Sequence, residues 1–444
     1  MKTSIKIILT VVFFSFISLG YAQRTFQYDR ASGQDGLNVF ETSKTTDVEY
    51  DGMKVWVGGD FALQYQGLSH ESDWADGLVT LGKNINLPTA NFSIDAQLAE
   101  GVRVHLKTYL SSRHHNEAWV KGGYLQIDKL NFIKEGFLEG LMDIVTIRVG
   151  MDDINYGDAH FRRSDNAMAI YNPFVGNYIM DAFTTEPYIE LYAKPGDLIF
   201  MAAISNGYLH PTTEFGNANL DDSNDPAYVD NPITFYAKAG WDSQMSDDLR
   251  LRLTGSFYSA PGYSNGNHLY AGDRTGARYY GVMDYLVDDG SGNISTSSSF
   301  RSGRFNPGFR NETAFQINPF VKFQGLEFFG VFEQSMGTTA EDQEKGSYTQ
   351  LGAEVLYRIG SMEQLYIGGR FNSVSGHGSY ATGGTQPEDI SINRINIGAG
   401  WFMTKNTLLK LEYVTNSYSG DGFIGSPYEN GKFNGLNIEA AISF

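Results

Sequence analysis

Leu249-Arg250-Leu251-Arg252-Leu253-Thr254-Gly255-Ser256-Phe257-Tyr258 is apolar at Leu249, Leu251, Leu253 and Phe257 and polar at Arg250, Arg252, Thr254 and Ser256. Successive side chains of a strand point to opposite faces, so this run sets one face against an apolar medium and the other against polar groups. The same period returns in Lys54–Gln66, where Val55, Val57, Phe61, Leu63 and Tyr65 alternate with Lys54, Asp60, Gln64 and Gln66. It returns again in 102–108 and in 436–444, where Leu436, Ile438, Ala440, Ile442 and Phe444 share one face.

Followed along the chain, the alternation predicts sixteen strands, near 53–66, 90–99, 101–110, 117–127, 143–151, 187–193, 197–206, 233–241, 249–258, 311–323, 326–335, 347–359, 364–373, 390–402, 407–417 and 433–444. Short connections such as Lys194–Asp197, Gln324-Gly325 and Met403–Asn406 alternate with long ones at 67–89, 151–186, 206–232, 259–310, 336–346, 373–389 and 417–432. Two connections depart from this rule. The 110–117 link is short on the long side, and 128–142 is long on the short side, with Ile133, Phe137 and Leu141 spaced for a brief amphipathic helix.

In hydrocarbon every backbone N–H and C=O must find an internal partner, which a sheet achieves only by closing on itself. The expected fold class is therefore all-β: a transmembrane antiparallel β-barrel of about sixteen strands, with long extracellular loops and short periplasmic turns. A secreted β-sandwich also alternates. Against it stand strands of about ten residues, the asymmetry of the connections, and Phe444 at the end of an alternating strand. That terminal aromatic resembles the signal read by the barrel-assembly machinery.

Composition agrees. The 444 residues include 50 Gly and no Cys, 14% are aromatic, 19% are charged, and the formal net charge is −18. An acidic, Cys-free chain is a poor candidate for nucleic-acid binding, a disulfide scaffold, a structural zinc site or a thiol enzyme. Lys2 and Lys6, the apolar run Ile7–Leu19 and the small residues Gly20 and Ala22 predict a cleaved signal peptide, 1–22. Residues 23–52 then form a periplasmic N-terminal arm, flexible through Gly33 and Gly36, and 53–444 form the barrel.

Three stretches carry a family resemblance: Gly36-Leu37-Asn38-Val39-Phe40-Glu41 before the barrel, Val57-Gly58-Gly59-Asp60-Phe61-Ala62 in the first strand, and Tyr156-Gly157-Asp158-Ala159-His160-Phe161-Arg162-Arg163-Ser164-Asp165-Asn166 in the third long connection. With them the chain resembles porin-type outer-membrane proteins of Bacteroidota, similar in general plan to the phosphate-selective porin O and P group. The resemblance implies the outer membrane of a Gram-negative bacterium, lipopolysaccharide and the assembly machinery as partners, and a homo-oligomer.

A barrel this wide holds water unless plugged, and 23–50 is too short for the plug domain of a TonB-dependent transporter. The expected function is a water-filled channel for passive diffusion of small hydrophilic solutes, with anionic ones favoured. Inward strand positions carry more bases than acids, with Lys54, Arg103, Lys107, Arg148, Lys238, Arg370 and Arg394 expected to line the pore. By analogy with other sixteen-stranded porins, 151–186 folds inward and brings His160, Arg162, Arg163 and Asp165 to a constriction; Ile170, Tyr171, Phe174 and Val175 need something to pack on. The alternative is a surface receptor or adhesin that uses the barrel as a mount for loops such as 259–310. No cofactor, resident metal or catalytic residue is expected: His114-His115 lack an accompanying motif, and the oxygen-rich runs Asp221–Asp225 and Asp288–Asn293 lack an EF-hand register.

Overall fold

The computed structural model describes residues 26–111, 118–207, 233–262, 269–273, 275–288, 290–297 and 303–444. Sixteen long strands follow one another: β1 (Lys54–Glu71), β2 (Thr89–Ala99), β3 (Val102–Ser111), β4 (Ala118–Ile127), β5 (Val145–Asp153), β6 (Thr185–Ala193), β7 (Leu198–Ser205), β8 (Thr234–Ser246), β9 (Leu249–Ala260), β10 (Asn311–Phe323), β11 (Leu326–Thr338), β12 (Gly346–Ile359), β13 (Leu365–His377), β14 (Ile390–Thr404), β15 (Thr407–Ser419) and β16 (Lys432–Ser443). Each pairs antiparallel with the next, and β16 returns to β1, with Asp60 opposite Ser443 and Glu71 opposite Lys432. The sheet is thus a closed barrel. Every predicted strand has its counterpart, although several run further at the long-loop end: β13, predicted to stop at 373, continues to His377 because Ser373, Val374 and Ser375 keep the two-residue period.

The outer face is apolar. Val57, Leu106, Ile189, Phe200, Leu253, Phe315, Val355, Ile367, Ile397 and Leu411 are all exposed on it. Water would not tolerate so continuous a belt, whereas hydrocarbon solvates it without penalty. Trp401 lies on this face, but Trp56 falls on the inward register and lines a cavity inside the barrel rather than an interfacial girdle.

Alternation fails in β4 for a local reason. Lys107 faces Gly122 while Thr108 faces Val120, so Lys121 is the extra residue of a β-bulge and turns inward. On the short-turn side, the 128–142 connection keeps only one helical turn, α1 (Glu139–Met142), and Ile133 and Phe137 remain exposed outside it.

At the seam Phe444 and Gly59 exchange two backbone hydrogen bonds, each 3.1 Å. Deleting Phe444 removes this rung and the terminal aromatic together. The expected outcome is a smaller heat-modifiable, membrane-inserted fraction on gels.

Candidate functional site

A connection without a ladder of its own must find partners for its backbone groups. Residues 154–184 find them on the inner wall. Glu412 accepts from the Val175 and Gly176 amides at 2.9 and 3.2 Å, Asn372 from Ile179 at 2.6 Å, and Gln350 from Met180 at 3.0 Å. Lys410 donates to the carbonyls of Ala169, Asn172 and Phe174 at 2.8 to 3.2 Å. The apolar residues complete the docking, with Ile170, Tyr171 and Phe174 packed on Leu356, Tyr366, Phe402 and Leu408. This loop therefore lies inside the barrel, fully buried along most of its length.

A second segment enters from the 260–311 connection. Tyr270 bonds Glu333 at 2.9 Å, Tyr279 bonds Glu412 at 2.8 Å, Arg278 pairs with Glu439, and Gln64 and Gln66 donate to the carbonyls of Arg278 and Tyr280. Together with Ile154, Tyr156, Ile179 and Met180, its Leu269, Val282 and Met283 form the largest apolar cluster of the described residues, which sits within the lumen.

The third occupant corrects the expectation of a flexible periplasmic arm. Residues 26–44 lie across the short-turn mouth and reach into it. Asp29 pairs with Arg103 at 2.8 Å, Lys44 with Asp128 at 2.9 Å, and Glu41 with Arg252 at 2.8 Å and Lys238 at 3.2 Å. Asn38 donates to Glu327 at 2.7 Å and accepts from Arg162, while the Phe40 ring stands 5.7 Å from that of Phe161. Glycines and acids in the arm are fitted to the wall, because buried wall charges need counter-charges more than the arm needs freedom. Two of the motif stretches, 36–41 and 156–166, thus meet inside the barrel.

The four residues expected at a constriction all sit in the lumen, and each is nine-tenths buried or more. Arg162 binds Glu327 at 2.6 Å and Glu354 at 2.5 Å; Arg163 binds Asp181 at 2.7 Å and Asp273 at 3.3 Å. They face carboxylates rather than the wall bases, since like charges opposed in a dry space would repel strongly. Asp165 binds Lys107 and Lys121, both at 2.7 Å, and accepts from the Tyr109 hydroxyl. Burial alone would raise the Asp165 pKa; Lys107 and Lys121 instead hold its carboxyl well below the usual carboxylate range. His160 Nε2 donates to Asn155 Oδ1 at 3.0 Å and its Nδ1 lies 3.4 Å from Asp153; burial lowers the pKa of its imidazole, and Asp153 opposes that shift.

Most of the expected pore-lining bases are also paired. Arg370 meets Glu354 at 2.7 Å, its register partner across β12 and β13, and Lys238 meets Asp158 at 2.9 Å. Arg394 donates to Asn416, to the Asn177 carbonyl and to the Gly303 carbonyl. Lys54 turns to Asp51 at 2.7 Å at the start of β1. Arg148 is paired more loosely, with Glu190 at 3.7 Å. Sequence periodicity missed Lys121, which the bulge displaces, and Asn38, Glu41, Asp181 and Asp273, which lie in non-periodic segments.

The space these segments leave includes a cavity of about 210 Å³ on the short-turn half, between the inner wall of β1–β5, the arm and the 154–184 loop. Among the described residues no cluster of three His, Cys, Asp or Glu side chains is arranged to hold a metal. His114-His115 and Asp221–Asp225 lie outside the described residues, as does Asp289 of the second oxygen-rich run.

No family model and no curated protein matches the chain. Solved structures do. The chain is similar to the outer membrane channel DcaP of Acinetobacter baumannii, with 13% identity and a TM-score of 0.50 over 89% of this chain and 99% of that one. It is similar also to in-vitro folded OmpT, an outer membrane protein of Vibrio cholerae, at 9% identity and a TM-score of 0.50, again over 89% and 99%. The fold is that of a porin-type barrel.

In this porin-type barrel the inserted loop is held by buried ion pairs, and removing one partner strands the other. Arg162→Ala is expected to destabilise the protein by about 3–5 kcal/mol in equilibrium unfolding in detergent, and Arg162→Met with Glu327→Gln and Glu354→Gln by less. Asp165 contributes stability that is fully present above the ordinary carboxylate pKa of about 4 and is lost as pH falls below it. Asp165→Asn should therefore flatten the acid limb of the stability-against-pH curve.

Proposed function

We propose that the protein is an outer-membrane channel for small hydrophilic solutes, narrow rather than wide, with the arm and the two inserted segments restricting passage. The observation that carries this reading is the contrast between an apolar jacket and a lumen wall of ion-paired and amide side chains, which a solid hydrophobic mount does not need. A channel of this kind discriminates among solutes at the cavity rather than through a general excess of wall bases, because most of those bases are neutralised by Glu354, Asp158, Asp165 and Asp29. The motif stretches 36–41, 57–62 and 156–166 support a lineage akin to the Bacteroidota porin O and P group. Assembly through the barrel machinery, contact with lipopolysaccharide and a homo-oligomeric state belong to the same reading.

The filled lumen favours a second reading, a barrel that serves as a mount for surface loops. Planar-bilayer recording separates the two. The channel reading expects small, stable single-channel steps from the full chain and a several-fold larger conductance after deletion of residues 26–48, which opens the short-turn mouth. Silence from both proteins across a range of salts and voltages would leave the mount reading in place.

A further inference from the structure

Arg148 is placed unlike the other inward bases. Its Nε donates to Gln126 Oε1 at 3.2 Å, an oxygen that Arg103 also uses at 3.1 Å. Its guanidinium lies over the Tyr124 ring, with Cζ 4.0 Å from the centroid. Glu190 pairs with it only loosely, at 3.7 Å and beyond hydrogen-bond reach, and is already bonded by the Tyr192 hydroxyl at 2.6 Å, the Tyr236 hydroxyl at 3.0 Å and the Asn155 amide at 3.1 Å. Among the described residues the two Nη nitrogens of Arg148 donate no hydrogen bond, and its side chain keeps 22% of its exposure, toward the cavity that it lines. An arginine fixed by stacking and by one edge, with its other edge open to an enclosed space, is a preformed fork for a planar oxyanion.

The rest of the cavity narrows the choice. Its other bases are engaged: Arg103 by Asp29, Lys107 by Asp165, Arg30 by the Gly36 and Phe161 carbonyls, and Lys194 by the Thr42 carbonyl. The wall also presents Asp60, which accepts from Asn91 at 3.3 Å and has no ion pair among the described residues. Further carboxylates, Asp29, Glu41, Asp95, Asp152 and Asp153, line it too, the first two already paired with Arg103 and with Arg252 and Lys238. A dianion would meet these charges with a single open fork to offset them; a monoanion whose far end carries hydroxyl groups would use both poles. Tyr171, Tyr192 and Phe161 supply flat apolar surface between, and the volume of about 210 Å³ suits a small solute.

Building on the channel reading, we infer that this cavity is a binding site for a small polyhydroxylated monocarboxylate, with its carboxylate on the Nη edge of Arg148 and its hydroxyls donating to Asp60. The test uses the full chain in detergent micelles and isothermal titration with three probes: gluconate, glucose as an uncharged polyhydroxylated solute of equal carbon number, and inorganic phosphate. Gluconate should bind saturably, glucose at least about tenfold more weakly, since a charge-assisted pair is lost, and phosphate should not displace gluconate at equal concentration.

Arg148→Gln should weaken gluconate by about tenfold or more, and Arg148→Lys should not restore it, because an ammonium lacks the fork. Lys322→Gln, at the mouth and paired with Glu363, is the control expected to bind as wild type. Heat-modifiable migration verifies that each variant folds. Equal gluconate binding by Arg148→Gln, equal binding of glucose, displacement by phosphate, or no binding by the wild type would each overturn the inference. Conductance without gluconate binding would refute the site and leave the channel standing, whereas absence of both would refute the two together.

Discussion

Backbone hydrogen bonds in hydrocarbon have no water to fall back on, and the pairing of β16 with β1 is what removes the last open edge. Everything else follows from that closure. Sixteen strands fix a circumference too large for wall side chains to fill, so the interior becomes a second solvent problem. Polar wall residues cannot be left dry and unpaired, and the protein meets this need with protein: the 154–184 loop, residues 269–273 and 275–284, and the arm bring carboxylates, guanidinium groups and backbone carbonyls to the wall. Lys410 with three loop carbonyls, and Glu412 with two loop amides, show the wall acting in place of water.

The charges of the lumen form a network. Lys238 and Arg252 bind both Asp158 of the loop and Glu41 of the arm, and Arg162 draws Asn38 of the arm together with Glu327 and Glu354 of the wall. Loop, arm and wall are thereby coupled, because moving any one of them leaves a buried charge without its partner. The net excess of wall bases then carries little field of its own. What a solute meets is local: Arg148, loosely paired with Glu190, and Asp60 line one small cavity.

Much of the barrel was legible from alternation alone, because each strand records two solvents in its own residues. In β9 the pair Leu251 and Arg252 states the rule, and β15 repeats it with Leu409 against Lys410 and Leu411 against Glu412. The rule fails at Lys121, where a bulge changes which face a residue serves without changing its sequence neighbours. Inward folding of 154–184 was legible in Ile170, Tyr171 and Phe174, which are too apolar for water. The arm was not legible, since its partners lie hundreds of residues away and nothing local distinguishes Glu41, bound to Arg252, from a solvated acid. Pairing across a lumen is a non-local property. For the same reason the sequence shows Arg162 and Arg163 without the carboxylates that hold them.

The inserted segments are structural parts of the barrel. Hydrogen–deuterium exchange of the folded protein in micelles, read by mass spectrometry, tests it directly. Peptides from 154–184 should exchange nearly as slowly as those of β9 and β15, since many of their amides are bonded to the wall or within the loop, and peptides from 26–44 should exchange well below the rate of a free chain. Exchange of these two segments within seconds, at the rate of free loops, while the strands stay protected, would contradict the account.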